Sequence, residues 1–307
     1  GGVHFTANLS KMYEVNYKSR LGMNLLWEIN TFECLDTDNL YEGIYHFNWS
    51  SYITSVNSFS VNVTIRNSTL INNSHYAKLK AKDAIVDYFR DNYSHRPEID
   101  KLNPDVPLFI FINHQSAKVY INSSGDPLFK RNYRDKIHKA ALNEVCAAGL
   151  IQMSGWNEDL TNLHDPMCGS GTIPIEASMF LNNIPAGFLR KSYAFMKWQS
   201  YNNTLFEDIV IKAKDSIIQT HDISITGSDI SRSSIELFKA SIKKFNGDLQ
   251  IKSFVRNVRD FRGNNSYVIS NPPYGRRIGR GETLKKLYSQ IEKSLINRNL
   301  NTFLLIE

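Results

Sequence analysis

Cysteine is scarce, with only Cys34, Cys146 and Cys168 in 307 residues. Three scattered thiols, odd in number and without metal spacing, exclude a disulfide framework and point to a reducing compartment, so a cytoplasmic location is expected. Long apolar runs are lacking too. The longest, around Leu108–Ile112, is far too short to span a bilayer, and no signal peptide is visible. Triplets such as Asn62-Val63-Thr64 and Asn67-Ser68-Thr69 mimic glycosylation acceptors. In a chain so rich in Asn, Lys, Ile, Tyr and Phe they arise by chance. Internal repeats and low-complexity segments are also missing.

Several catalytic signatures are absent by a residue or two. No lysine follows Gly171, which excludes a phosphate-cradling Walker loop, and Pro174 stands where a dinucleotide fold would have its third glycine. Neither NTP hydrolysis nor hydride transfer is favoured. Gly169-Ser170-Gly171 lacks the spacing of a nucleophile elbow. Cys168 has no basic neighbour in sequence to activate it, so it reads as a small residue packed under a turn.

What is present is a pair of short runs, each placed after an apolar stretch. The first is Asp165-Pro166-Met167-Cys168-Gly169-Ser170-Gly171-Thr172, followed at once by the helix-forming segment Ile173–Leu181. Small residues there let backbone approach a ligand at a helix start. The second, Asn271-Pro272-Pro273-Tyr274-Gly275, ends the strand Tyr267–Ser270. Its amide oxygen can accept from an amine, its prolines fix backbone carbonyls, and its ring offers a stacking face. Alone, each run is an ordinary turn. Together, both at strand ends, they describe a nucleotide-like cofactor held beside a flat, amine-bearing base, because an open α/β sheet binds ligands at the carboxyl ends of its strands.

Between the runs, the β-branched stretch Ile223–Ile230 ends in Asp229, and the amphipathic run Ser233–Phe245 follows. An acid at that point can take both hydroxyls of a ribose. Asp229 lies much further from the glycines than the roughly 20 residues of a minimal unit, so residues Asn182–His221 form an insertion, with helical periodicity over Leu205–Ile218. A third strand, Leu249–Val255, leads to Asn257 and Asp260, either of which can meet a purine amino group.

These residues carry a family resemblance. The span Ser123–Glu307 resembles the class I S-adenosylmethionine-dependent RNA methyltransferases with an amino-terminal THUMP domain, most closely the group acting on guanosine N2 in large-subunit ribosomal RNA. Ser124–Arg134, Ser154-Gly155-Trp156, Asp165–Glu176, Gly227–Ile230 and Asn271–Gly275 carry it, with Leu79–Asp87 and Arg96-Pro97 resembling the THUMP core and Gly1–Phe5 the tail of a small ferredoxin-like domain. The resemblance implies S-adenosylmethionine as cofactor, held by Asp165, Pro166, Cys168, Gly169, Ser170, Gly171, Thr172, Glu176, Asp229, Ile230 and Asn257. Asn271, Pro272, Pro273 and Tyr274 would be catalytic, aligning the amine for in-line methyl transfer. Two positions depart from the family: Asn257 replaces an acid, and Arg276 stands where Glu is more usual. The closing hairpin of the family and the start of its first domain are expected to be missing here. Alternatives with the same grip are an adenine-N6 DNA methyltransferase and a guanosine-N2 tRNA methyltransferase; a catalytically inactive RNA-binding assembly factor is the rival from another class.

The expected architecture is α/β, a Rossmann-like class I methyltransferase domain preceded by an α+β THUMP domain with a partial ferredoxin-like segment. Its divisions fall at 1–50 (ferredoxin-like), 51–125 (THUMP), 126–155 (linker helix) and 156–307 (methyltransferase). Within them Phe59–Ile65, Leu108–Ile112 and Ala117–Ile121 read as strands, Tyr76–Phe89 as a helix, Asp135–Met153 as a basic linker helix and Phe303–Glu307 as a fifth strand. A net charge of +6 says little by itself, but its placement is suggestive. Lys130, Arg131, Arg134, Lys136, His138 and Lys139 cluster between the halves, and Arg276, Arg277 and Arg280 flank the second run, so RNA is the expected partner, with no metal and no membrane.

Overall fold

The computed structural model describes residues 2–54, 56–94, 96–135, 141–156, 161–219, 222–262, 267–273, 282–295 and 300–305. The chain divides into two compact units, each assembled from separated stretches of sequence. One comprises Gly1–Asn16, Asn24–Pro127 and Lys191–Glu207. The other comprises Tyr17–Met23, Leu128–Arg190 and Asp208–Glu307.

The first unit runs α1 (Leu9–Lys18, whose last two residues belong to the other unit), β1 (Leu26–Glu33), α2 (Thr37–Tyr45), β2 (Ser58–Arg66), α3 (Ser74–Tyr93), β3 (Glu98–Ile99), β4 (Val106–Asn113) and β5 (Ser116–Asn122), with its sheet in the order β1-β5-β4-β2-β3. β4 shows why: Val106, Leu108, Ile110 and Ile112 alternate inward, a period-2 pattern that only a strand satisfies. β4 and β5 form a hairpin, while β2 lies parallel to both β3 and β4. Helix α3 buries Ala77, Ala81, Ala84, Ile85 and Phe89 in the core around Trp49 and Phe59, small residues that let it lie close to its neighbours. Asn73 caps it by accepting from the Tyr76 amide. Part of the expected insertion belongs here: Phe195 and Phe206 pack on Tyr13 with ring centroids 4.5 and 5.7 Å away.

The second unit contains α4 (Glu144–Met153), β6 (Leu163–Asp165), α5 (Thr172–Leu181), α6 (Asn203–Asp215, whose first turn belongs to the other unit), β7 (Ile225–Asp229), α7 (Arg232–Lys243), β8 (Ile251–Val255), β9 (Tyr267–Ser270), α8 (Glu282–Ser294) and β10 (Thr302–Leu304). Its sheet has the order β10-β9-β6-β7-β8, and all four pairings are parallel. This is the class I methyltransferase arrangement expected from the sequence. The chain winds from β6 out to β8, then returns to β9 on the other side of β6. A crevice therefore opens at the carboxyl ends of β6 and β9, the switch point where such sheets bind ligands.

The basic linker helix begins later than the sequence periodicity suggests. The described helix starts at Glu144, because Asn143 is extended and its side chain accepts from the amides of Val145 and Cys146, which fixes the first turn there. Residues 136–140, including Lys136, His138 and Lys139, lie outside the described residues.

Candidate active site

Asp165 ends β6 wholly buried. Its Oδ1 accepts from the Met167 amide at 3.1 Å and from the Ser270 hydroxyl at 2.6 Å, which ties the first motif to the strand carrying the second. Burial, with a smaller push from Asp229, raises its pKa to about 7 against the pull of those two donors. Beyond it the chain turns tightly. The Cys168 amide reaches the Ser228 carbonyl, the Gly171 amide reaches the Cys168 carbonyl, and the Gly169 amide donates to Asp229 Oδ2 at 2.9 Å.

The two glycines are needed for different reasons. Gly169 has φ +54°, and a Cβ built on it meets nothing within 4 Å, so the loop is open on that side. Gly171 has φ +82°, and a Cβ there would lie 2.0 Å from the Phe238 ring, so the loop is closed on this one. Gly171 is also the N-cap of α5 and offers no capping side chain, which leaves first-turn amides unsatisfied by a cap.

Asp229 stands at the end of β7 with Oδ2 on Gly169 and Oδ1 accepting from the Ser231 amide at 2.8 Å. Each carboxylate oxygen retains a second lone pair for a ligand hydroxyl. Ile230 beside it is 70% exposed, an apolar surface next to the acid. Asn257 follows β8; its Oδ1 accepts from the Arg259 amide and caps the short 3-10 turn Val258–Asp260. Asp260 is exposed, 3.8 Å from Arg259.

At the end of β9, the Asn271 side-chain oxygen is buried and has no hydrogen-bond partner among the described residues. A buried acceptor left unmade costs roughly 1–3 kcal/mol, and an oxygen so placed beside the switch point has the capacity to accept from a ligand donor. Pro272 is buried and Pro273 half-buried; Tyr274, Arg276, Arg277 and Arg280 lie outside the described residues.

A family model for the RMKL-like methyltransferase domain matches residues 131–304, and one for the THUMP domain matches residues 34–122. The chain belongs to the RMKL-like methyltransferase family. A ribosomal RNA large subunit methyltransferase K/L from Shewanella amazonensis is 32% identical over 300 residues, covering 94% of this chain and 42% of the relative. The chain thus spans less than half the length of that relative. A Synechocystis protein provisionally named an RNA methyltransferase is 32% identical over 299 residues, covering 97% of this chain and 77% of the relative. Among solved structures, SMU.472, provisionally assigned as a methyltransferase and complexed with SAH, is similar with a TM-score of 0.82 and 25% identity, covering 97% of this chain and 78% of that one. S-adenosylmethionine is the cofactor of this class, and the open side of Gly169, the acid at Asp229 and the exposed Ile230 fit a nucleoside-bearing group.

Other expected site residues of the RMKL-like domain have internal roles. Glu176 is not at the loop surface but wholly buried on α5, where Oε1 sits 3.6 Å from Arg131 Nε and accepts from the Tyr133 hydroxyl. Burial pushes its carboxyl upward even so. Arg131, expected on an RNA-binding surface, is 2% exposed and donates to the carbonyls of Leu128 and Arg20 as well. Arg134 has its side chain largely enclosed as well: it pairs with Glu144 at 3.4 Å and donates to the Thr172 hydroxyl and the Leu142 carbonyl. These two guanidiniums hold α5 from behind, so within the expected basic cluster the exposed, described cation is Lys130. Thr172 is correspondingly a support of the loop. The Cys168 thiol is buried and pushed well above its ordinary pKa by burial and by Asp165 and Asp229, the opposite of an activated nucleophile. Ser170 and Pro166 lie in the loop and are buried.

Sequence reasoning did not find the Ser270–Asp165 link or Arg20, which donates to the carbonyls of Met179 and Ile184 at 2.9 and 2.5 Å. Among the described residues no group of three or more His, Cys, Asp or Glu side chains is placed to hold a metal, and no helix is long and apolar enough to cross a membrane.

Proposed function

We propose that the chain transfers a methyl group from S-adenosylmethionine to an exocyclic amine of a base in RNA, with guanosine N2 in ribosomal RNA as the first-choice target and the cytoplasm as the place of action. One observation carries the reading: the buried oxygen of Asn271, unpartnered among the described residues, near a loop that presents an open glycine and the Asp229 carboxylate. An exocyclic amine is conjugated with its ring and nucleophilic only when its lone pair is turned out of conjugation. Asn271 Oδ1 and a carbonyl of Pro272 or Pro273 accept its two hydrogens, and Tyr274 stacks on the base. The bound cofactor supplies an electrophilic methyl group, so no covalent enzyme intermediate is required. Asn257, directly after β8, meets the cofactor's adenine in this reading. The ribosomal RNA preference rests on the name of the Shewanella relative and on the THUMP match.

Single-turnover methylation of ribosomal RNA with radiolabelled cofactor tests this. Asn271→Ala should lose methyl transfer by roughly 100-fold or more while keeping cofactor affinity, since its acceptor matters chiefly as the amine is aligned. Parental rates in Asn271→Ala, on an RNA that the parent methylates, refute the grip. Nucleoside mass spectrometry of the product decides between N2-methylguanosine and N6-methyladenosine, and a DNA substrate in parallel separates the rival activity.

A further inference from the structure

In doubly wound sheets both faces are normally covered by helices, and strands there are apolar on both sides. One face of this sheet departs from that. His164 pairs with Thr226 and Thr226 with Lys252, while Ser228 pairs with Phe254, so these five side chains share a face. Its β9 side is closed: Val268, in register with His164, packs with Ile291 of α8 and with Leu295 just after that helix. Next to it the Phe261 ring stacks on His164 at 4.3 Å. At β8 the cover stops. A crossover helix needs about a dozen residues or more, and the connection from Val255 to Tyr267 contains, among the described residues, only the 3-10 turn Val258–Asp260. The edge strand accordingly exposes Lys252 and Phe254 (38%) on this face, and Arg256 is exposed just past the strand end.

Chemistry says what covers this edge. Lys252 and Phe254 on the strand and Arg256 just past its end form a row about 13 Å long, with the Arg256 guanidinium 5.1 Å over the Phe254 ring. Arg259 and Arg262 continue it past the strand end, and the acid in this stretch is Asp260. The row begins at the candidate site, because the Arg256 amide donates to the Asp229 carbonyl at 2.9 Å. Cations alternating with an exposed ring match a backbone of phosphates carrying bases that stack, and they do not match an apolar partner. We infer that the β8 edge, with Lys252, Phe254 and Arg256 at its centre, is a single-stranded RNA track that leads substrate to the carboxyl ends of the strands. This rests on the RNA-methylating reading above and adds a surface to it.

The test is a salt titration of a short fluorescein-labelled single-stranded RNA binding to the full chain, repeated with a duplex of the same sequence. Removing two phosphate contacts in Lys252→Ala/Arg256→Ala should flatten the slope of log K against log salt by about 1.4 for the single strand. Phe254→Ala should weaken the single strand roughly 5- to 150-fold and the duplex far less, because only unpaired bases expose a stacking face. Cofactor affinity by calorimetry should be unchanged in both variants. An unchanged slope with an unchanged single-strand affinity overturns the inference. So does a parallel loss of cofactor binding, which would assign the row to the cofactor pocket, or concentration-dependent self-association of the parent that Phe254→Ala abolishes, which would assign the edge to a second copy. Methylation by the parent separates the two proposals. If the parent methylates RNA and the slope is unmoved, the track alone fails; if it binds the strand through these residues but methylates no RNA, the functional reading fails.

Discussion

Asp165 offers a test of the site that needs no substrate. Its carboxyl is wholly buried, accepts from Ser270 and Met167, and has its pKa raised from 3.8 to about 7, first by burial and then by the nearby Asp229. The folded state therefore holds this proton more tightly than the unfolded chain does. Its contribution to stability is complete below about pH 4, falls as pH rises, and is gone once pH passes the folded value near 7. At about 1.4 kcal/mol per pKa unit, the wild type is penalised by roughly 4 kcal/mol above pH 7 relative to a side chain that cannot ionise. Asp165→Asn is such a side chain, and its carbonyl can still accept from both donors. The variant should thus match the parent near pH 4 and exceed it by a margin that grows up to about pH 7 and then levels. Urea titrations at pH 4.5, 6 and 8, read by pulse-labelled hydrogen exchange at peptides of β6 and β9, measure that margin directly. Comparing the variant with the parent cancels other titrating groups, including His164, whose pKa burial and Arg256 lower to about 4. A margin independent of pH would show that Asp165 is ionised in the folded chain throughout, and would refute the buried, proton-holding carboxyl argued here.

Three further outcomes follow from the site's geometry. Asp229→Ala removes an acceptor that the loop and a ribose would share, so cofactor affinity should fall by ~1.5–3 kcal/mol in calorimetry with RNA affinity retained; undiminished cofactor binding removes Asp229 from the pocket. Gly171→Ala should destabilise the fold by more than ~3 kcal/mol, because strain at φ +82° adds to a clash with Phe238, whereas Gly169→Ala meets open space and should cost only ~1–2 kcal/mol in denaturant titration; equal losses would contradict the one-sided loop. Arg131→Ala takes the nearest guanidinium from the buried Glu176 carboxylate, leaving it Arg20 and the Tyr133 hydroxyl, and should cost ~3–5 kcal/mol of stability while leaving the salt dependence of RNA binding unchanged; a flattened salt slope in a stably folded variant would return Arg131 to the RNA surface.

Much of the fold was legible because its signals are local. The alternation of Phe59–Ile65, the apolar spacing of Ser233–Phe245 and the glycine loop before Ile173 each state a period or a turn within a few residues, and the structure places β2, α7 and α5 there. Boundaries slipped where a single side chain decides them. Asn143 caps α4 so that it starts at Glu144, well past Asp135, the expected start of the basic linker helix, and no periodicity encodes that choice. The discontinuous make-up of the two units was not legible at all, since nothing local in Tyr17–Met23 or Lys191–Glu207 says which core each will join.

The arginines show why a site is harder to read than a fold. In sequence Lys130-Arg131-Asn132-Tyr133-Arg134 is a basic run, and a basic run is ordinarily a solvated face that can meet a polyanion. What changes its meaning is a pair of distant acids. Glu176, on the helix behind the glycine loop, and Glu144, in the first turn of α4, each draw one guanidinium inward. Neither acid is within reach of a local motif, and burying a charge is tolerated only where a partner and hydrogen bonds receive it. Conversely, Lys252 stands in a strand and Arg256 directly after it, and because the turn after β8 leaves no covering helix among the described residues the cations stay outside. The sign of a residue is written in the sequence, but whether its charge is spent on the fold or offered to a partner depends on which elements the topology lays over it.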